Sequence, residues 1–180
     1  MHYRRAMAAG PSRFTLTVSA AAGAAHVPFV RRHLRAAHRI LRPPLKELSV
    51  AFVGDRRMSD LHERFMNVPG PTDVLTFPLD VDGPGRVLSG EVVVCVPEAR
   101  RQAKERKVPL ERELLLYALH GMLHLCGFDD RTDRGFRTMH RREDDILTAL
   151  GFGPVFAAQP KSSSRVRRPR RAGRSRDGAA

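Results

Sequence analysis

Residues 120–130, HGMLHLCGFDD, constrain this chain more than any other stretch of its sequence. Two histidines, His120 and His124, stand four residues apart in an apolar run that Gly127 ends. Residues at this spacing lie on one face of a helix, about 6 Å apart at Cβ, so two imidazoles can bind one metal ion. Because the run before His120 is apolar on nearly all sides, the helix should be buried, and its histidines then need polar partners.

A third metal ligand has to come from outside this helix. Gly127 is the expected C′ residue of a helix that ends abruptly, and two aspartates follow it at once. The spacing favours Asp130 as the ligand, with Asp129 as the competing carboxylate. Two histidines, one carboxylate and one open position are typical of a catalytic zinc site. The alternatives are a solvated loop acid and a pair of ordinary buried histidines.

Metalloproteases use the same histidine spacing. Their motif also requires a glutamate directly after the first histidine, where it acts as general base. Gly121 occupies that position here. A metallopeptidase therefore remains an alternative, but the sequence lacks the glutamate that such an enzyme uses as general base.

The length and charge of the chain predict one domain with two tails. Its 180 residues, 42% of them hydrophobic, suit a single folded unit. We expect a disordered segment at 1–12, a domain at 13–154 and a disordered basic tail at 155–180. The net charge is +13, and the arginine-rich tail carries much of it. Such a tail either binds RNA phosphates or only increases solubility.

The cysteines and the hydropathy favour a cytoplasmic protein. Cys95 and Cys126 both lie in apolar runs and do not form a disulfide framework. No stretch approaches the roughly 20 apolar residues of a membrane span, so no membrane partner is expected.

Apolar periodicity predicts an α+β fold: a single domain in which a four-stranded mixed sheet packs with about five helices. The histidine helix is the most apolar of the five and should be central. Asp55 is expected to cap the second helix, and residues 80–89 are expected to form a loop. Strands are predicted at 14–18, 48–53, 73–78 and 90–96, and helices at 27–41, 55–65, 97–106, from 109 into the histidine segment, and 133–150.

Taken in order, these motifs resemble the YbeY endoribonuclease family, also called the rRNA maturation factor family. The resemblance runs from about residue 48 to 150 and leaves both ends outside it. It is carried by PTDVLTFP at 71–78, GEVVV at 90–94, PEARRQA at 97–103 and the histidine segment.

The resemblance implies a hydrolase, a metal-dependent endonuclease that cuts single-stranded RNA. It implies one Zn²⁺, or another divalent metal, at His120, His124 and Asp130. It also implies a role in small-subunit rRNA 3′-end processing and ribosome quality control, with the ribosome and its assembly factors as partners. Asp129 and Asp73 are the nearest acids that could move a proton, although Asp73 is more simply a strand-start residue. A non-catalytic rRNA-binding assembly factor with a structural metal is the alternative.

Two positions depart from the family pattern. Asp130 stands where the family usually has a histidine, which lowers the charge of the site by one and shifts preference toward harder ions such as Mn²⁺. Met66 stands where the family has an arginine that would bind a phosphate. Either another arginine substitutes for it, or the metal holds the phosphate, or activity is weak. The possible substitutes are Arg56, Arg57, Arg64, Arg100 and Arg101.

Overall fold

Four strands form one mixed sheet in the computed structural model, which describes residues 14–156. The strands are β1 (Thr15–Ala20), β2 (Glu47–Val53), β3 (Val74–Val81) and β4 (Val87–Cys95). Their order across the sheet is β1-β2-β4-β3; β1, β2 and β4 run parallel, and β3 is an antiparallel edge strand. The predicted four-stranded mixed sheet is confirmed. The predicted segments 1–12 and 155–180 lie outside the described residues, except for residues 155 and 156.

Within the described residues five α-helices accompany the sheet, as predicted. They are α1 (Val27–Leu41), α2 (Asp55–Met66), α3 (Val96–Arg106), α4 (Leu110–Leu125) and α5 (Asp133–Ala149), and a 3₁₀ turn, Ala24–His26, precedes α1. Within residues 14–156, none of these helices has the length and apolar character needed to cross a membrane.

The expected capping role of Asp55 is wrong. Gly54 is the N-cap of α2, and Asp55 is already the first helical residue. Its carboxylate instead accepts hydrogen bonds from the Arg101 guanidinium and the Cys95 thiol, so it joins α2 to α3 and to the end of β4. A tertiary partner has replaced the local backbone contact that sequence position suggested.

The predicted loop at 80–89 is shorter in the structure. Strand β3 continues past Pro78 to Val81, and β4 begins at Val87. Pro78 is tolerated because β3 is an edge strand, whose outer side forms no ladder hydrogen bonds. The hairpin turn is closed by Asp82, whose carboxylate accepts hydrogen bonds from both the backbone N–H and the side chain of Arg86 at 2.8 Å.

Helix α4 is the buried centre of the domain, as its composition predicted. Eleven of its 16 residues are buried, and it packs against α1, α3, α5, β3 and β4. Close approach to the sheet depends on Gly121, since a Cβ there would lie 2.6 Å from Val92 Cγ1. Gly127, with φ of +88°, ends the turn after α4 as expected.

Candidate metal centre

The two histidines and Asp130 converge at the C-terminal end of α4. The Nε2 atoms of His120 and His124 lie 3.0 Å apart. The Asp130 carboxylate places Oδ2 3.7 Å from His120 Nε2 and Oδ1 3.8 Å from His124 Nε2. One ligand atom from each residue therefore lies within 4.8 Å of the other two, which is the spacing of a metal site.

The hydrogen bonds behind the two imidazoles determine which nitrogen faces the centre as a lone pair. His124 Nδ1 lies 3.0 Å from the Phe128 carbonyl, which can only accept, so this nitrogen carries a proton. His120 Nδ1 lies 2.7 Å from Glu143 Oε1 and donates in the same way. Both Nε2 atoms then face each other as lone pairs, which repel unless a proton or a metal ion lies between them. Two imidazole nitrogens and a carboxylate are ordinary zinc ligands, so the donor set fits a divalent cation.

Glu143 on α5 is a site residue that the sequence analysis missed. It is fully buried, and its two carboxylate oxygens accept hydrogen bonds from the Nδ1 atoms of His120 and His140. Burial alone would raise the pKa of Glu143, but the hydrogen bonds and charges of the two imidazoles outweigh burial and lower that pKa. Burial likewise lowers the pKa of His120, and Glu143 outweighs it and raises that pKa. A glutamate on the buried face of α5, between Met139 and Ile146, was the available signal.

Two clefts meet at the metal centre and share Asp73, His120 and Asp130 in their walls. The strand cleft, of about 470 Å³, lies along β3. The aromatic cleft, of about 610 Å³, lies between α3, α4 and α5. The strand cleft is further lined by Met66, Thr76, Pro78, Val87, His124 and Leu125, and the aromatic cleft by Gln102, Arg106, Phe136, His140, Glu143 and Phe156, among others.

The two aspartates predicted to move protons are placed differently. Asp73 borders both clefts, and its Oδ1 accepts hydrogen bonds from the Val74 N–H at 2.8 Å and from the Thr72 hydroxyl at 3.1 Å. Asp129 instead forms an exposed ion pair with Arg131, whose hydrogen bonds lower the pKa of that carboxyl. In the described part of the chain, Asp129 lines neither cleft. The structure thus brings Asp73, and not Asp129, to the space beside the ligands.

Met66 lines the strand cleft and is half exposed, so a thioether occupies the wall where the resemblance expects a guanidinium. Arg101 is held by Asp55 and Glu98, at 3.2 and 2.6 Å. Arg106, which sequence analysis did not consider, lines the aromatic cleft and pairs with the buried Glu113 at 2.9 Å. The arginines Arg56, Arg57, Arg64, Arg100 and Arg101 line neither cleft within residues 14–156.

Fold and site together define an α+β protein with a His-His-Asp metal centre at the junction of two clefts. The chain belongs to the YbeY family, since the family model described as "Endoribonuclease YbeY" matches residues 24–151. The sequence resemblance is thereby confirmed.

Individual relatives agree with this assignment. The "Endoribonuclease YbeY" of Acidothermus cellulolyticus is 40% identical over 128 residues, covering 65% of this chain and 78% of the relative. That of Beutenbergia cavernae is 50% identical over 117 residues, covering 61% and 78%. The solution structure of TM1509 from Thermotoga maritima shares the fold, with a TM-score of 0.53 at 23% identity over 83% of this chain and 99% of that one.

Proposed function

We propose that this chain is a metal-dependent endoribonuclease that cuts single-stranded RNA during maturation of small-subunit rRNA. The observation that carries the proposal is the convergence of three lone-pair ligands at the junction of two clefts, in a chain of the YbeY family. Two clefts that meet at one metal centre suit an extended strand that passes over the centre.

His120, His124 and Asp130 would hold one divalent ion, and we infer zinc because two of the three ligands are imidazole nitrogens. Such an ion supplies a Lewis acid for a phosphoryl oxygen and lowers the pKa of water to about 7. Glu143 and the Phe128 carbonyl accept the Nδ1 protons of His120 and His124, so Nε2 is the nitrogen of each ring that would face the ion.

Other side chains would transfer a proton during cleavage and bind the phosphates of the RNA. Asp73 borders both clefts beside the ligands and is our proposed proton carrier, with Asp129 the weaker candidate because Arg131 engages it. Arg106 contributes the guanidinium in the wall of the aromatic cleft. With Met66 in the strand cleft, the phosphate there would be held mainly by the metal.

We further propose the domain organisation expected from sequence, with one folded unit followed by a basic tail that binds RNA phosphates. The described chain reaches Phe156, which lines the aromatic cleft, so the tail begins beside the proposed RNA path. Its arginines would add affinity without sequence preference. The ribosome and its assembly factors in the cytoplasm are the corresponding partners.

The alternatives fit the structure less well. The relatives are named endoribonucleases, which does not favour a purely structural metal. The peptidase alternative fails sterically as well as chemically, since Gly121 packs against Val92 and leaves no space for a glutamate.

The deciding experiment measures bound metal and cleavage of a short single-stranded RNA on the same preparations. His124→Ala and Asp130→Asn should lose both metal and cleavage. His26→Ala is the matched control, a partly exposed histidine that lines neither cleft, and it should keep both. Undiminished cleavage by His124→Ala would contradict the proposal, and casein hydrolysis by the wild type would support a peptidase instead.

A further inference from the structure

Three aromatic rings form a continuous wall of the aromatic cleft. The His140 and Phe156 rings stack with centroids 3.7 Å apart, and the Phe136 ring meets His140 edge-on at 4.0 Å. All three line the same cleft as His120 and Asp130. Phe, Tyr and Trp make up only 6% of the chain, so the grouping of two phenylalanines with a histidine beside the metal centre is a local feature.

Phe136 is the exposed member of this wall. Its side chain is 49% exposed, whereas Met139 and Ile146, which form the inner face of the same helix, are fully buried. An exposed phenylalanine alone is ordinary, and Phe65 is a second example. What distinguishes Phe136 is its position in a cleft that is continuous with the metal centre.

The wall behind Phe136 is held in place by the protein itself. His140 donates to the buried Glu143 carboxylate, and the backbone N–H groups of Val155 and Phe156 donate to Asp144 Oδ1 at 2.6 and 3.0 Å. A ligand that stacks here therefore meets rings that are already ordered, which reduces the entropic cost of binding.

The other wall of the cleft carries polar groups from α3. Gln102, Glu98 and Arg106 line this wall; the Gln102 amide donates to Glu98 Oε1 at 3.3 Å, and Arg106 pairs with Glu113 at 2.9 Å. A flat ligand with hydrogen-bonding edges matches this combination of aromatic, amide and carboxylate groups. The volume of about 610 Å³ falls within the range of about 300–1,000 Å³ found for small-molecule sites.

We propose that the aromatic cleft binds one unpaired nucleobase of the RNA strand, stacked on Phe136, next to the phosphate at the metal centre. The inference rests on the proposed function, because it takes RNA as the substrate. It assigns to Phe136, His140 and Phe156 the role of a base platform that selects single-stranded RNA, since a base within a duplex cannot enter the cleft.

The test compares Phe136→Ala with Phe65→Ala, a control of similar exposure that lines neither cleft. Binding is followed by fluorescence anisotropy and cleavage by gel, on a short single-stranded RNA and on versions with one abasic site at successive positions. Because Phe136→Ala loses the stacking contact with one base, it should bind the single-stranded RNA about 5- to 150-fold more weakly than the wild type does. Phe136→Trp should restore binding, and Phe65→Ala should resemble the wild type.

The abasic substrates separate stacking from a structural effect. Removing the base at one position of the RNA should weaken binding by the wild type. The same abasic RNA should bind Phe136→Ala as well as intact RNA does, because the variant has already lost the stacking contact. Two results would overturn the base site. One is equal binding of intact RNA by Phe136→Ala and wild type. The other is a wild-type loss of the same size whichever position of the RNA is abasic. If the wild type cuts RNA while Phe136→Ala binds normally, only the base site fails. If Phe136 governs binding but no preparation cuts RNA, the base site stands and the endoribonuclease proposal fails.

Discussion

Glu143 Oε1 lies 2.7 Å from His120 Nδ1, and the second oxygen of the same carboxylate accepts a hydrogen bond from His140. One fully buried side chain therefore orients a metal ligand and also fixes part of the aromatic wall. The metal centre and the proposed base site share a single support, so a change at Glu143 should affect both.

Glu143→Gln should lower metal affinity by about 10- to 100-fold, the usual loss when the partner behind a ligating histidine is changed. The neutral amide offers one acceptor oxygen in place of two, so it accepts from only one of the two imidazoles and places an N–H group against the other. Metal affinity is measured by competition with a chromophoric chelator. Glu105→Gln, an exposed position on α3, is the control and should match the wild type. Unchanged affinity in Glu143→Gln would show that the contact does not support the site.

Gly121→Ala should destabilise the domain by about 1–3 kcal/mol through overpacking. The added methyl group would lie 2.6 Å from Val92 Cγ1 and 3.1 Å from Thr76 Oγ1. Thermal and denaturant unfolding measure the effect. Gly83→Ala is the control, because nothing lies within 4 Å of its Cβ position. Adding Val92→Ala should recover part of the Gly121→Ala loss, and simple additivity of the two changes would refute the steric explanation.

Met66→Arg should raise kcat/KM for single-stranded RNA about tenfold, the effect of roughly one charge-assisted hydrogen bond to phosphate. The half-exposed Met66 side chain lines the strand cleft, so a guanidinium there can reach the substrate backbone. Val68→Arg adds the same charge at an exposed position that lines neither cleft. If both variants gain equally, the gain comes from overall charge and not from a contact in the cleft.

Glu113→Gln should change how stability depends on pH. Burial raises the pKa of Glu113 above 4.5, and the Arg106 charge offsets this only in part. The folded state then binds this proton more tightly than the unfolded state does. The contribution of this bound proton to the free energy of unfolding is fully present below about pH 4.5 and is lost as the pH rises through the raised pKa of Glu113. Relative to wild type, Glu113→Gln should gain stability from pH 4.5 toward neutral in denaturant titrations, and a relative loss would contradict this sign.

A chain that ends at Phe156 should bind single-stranded RNA more weakly and with a shallower dependence on salt. Removing residues 157–180 removes eight basic side chains, and the slope of log K against log salt falls by about 0.7 for each phosphate that is no longer neutralised. Affinity at several salt concentrations measures the slope. The turnover of bound substrate should not change, because the metal centre lies wholly within the described residues. An unchanged slope would assign the tail to solubility alone.

Local spacing carried much of the correct prediction. Helix geometry predicts that side chains four residues apart lie on one face, and the imidazoles of His120 and His124 do meet there. It also predicts a glycine with positive φ after the helix, which Gly127 provides. The five helices and the mixed sheet follow from apolar periodicity. The hairpin of β3 and β4 was underestimated because its closing contact, between Asp82 and Arg86, is a side-chain interaction within a segment of turn-like composition.

The sequence by itself determined the elements of this protein, the pair of histidines and the aspartate that follows them, because these depend on neighbours within about two helical turns. Only the tertiary structure decided which distant groups surround the pair. Glu143 stands 23 residues beyond His120, and it reaches the imidazole only because α5 packs against α4. Packing likewise placed Asp73 at the clefts. Contacts of this kind depend on how helices and strands pack together, which no local spacing encodes.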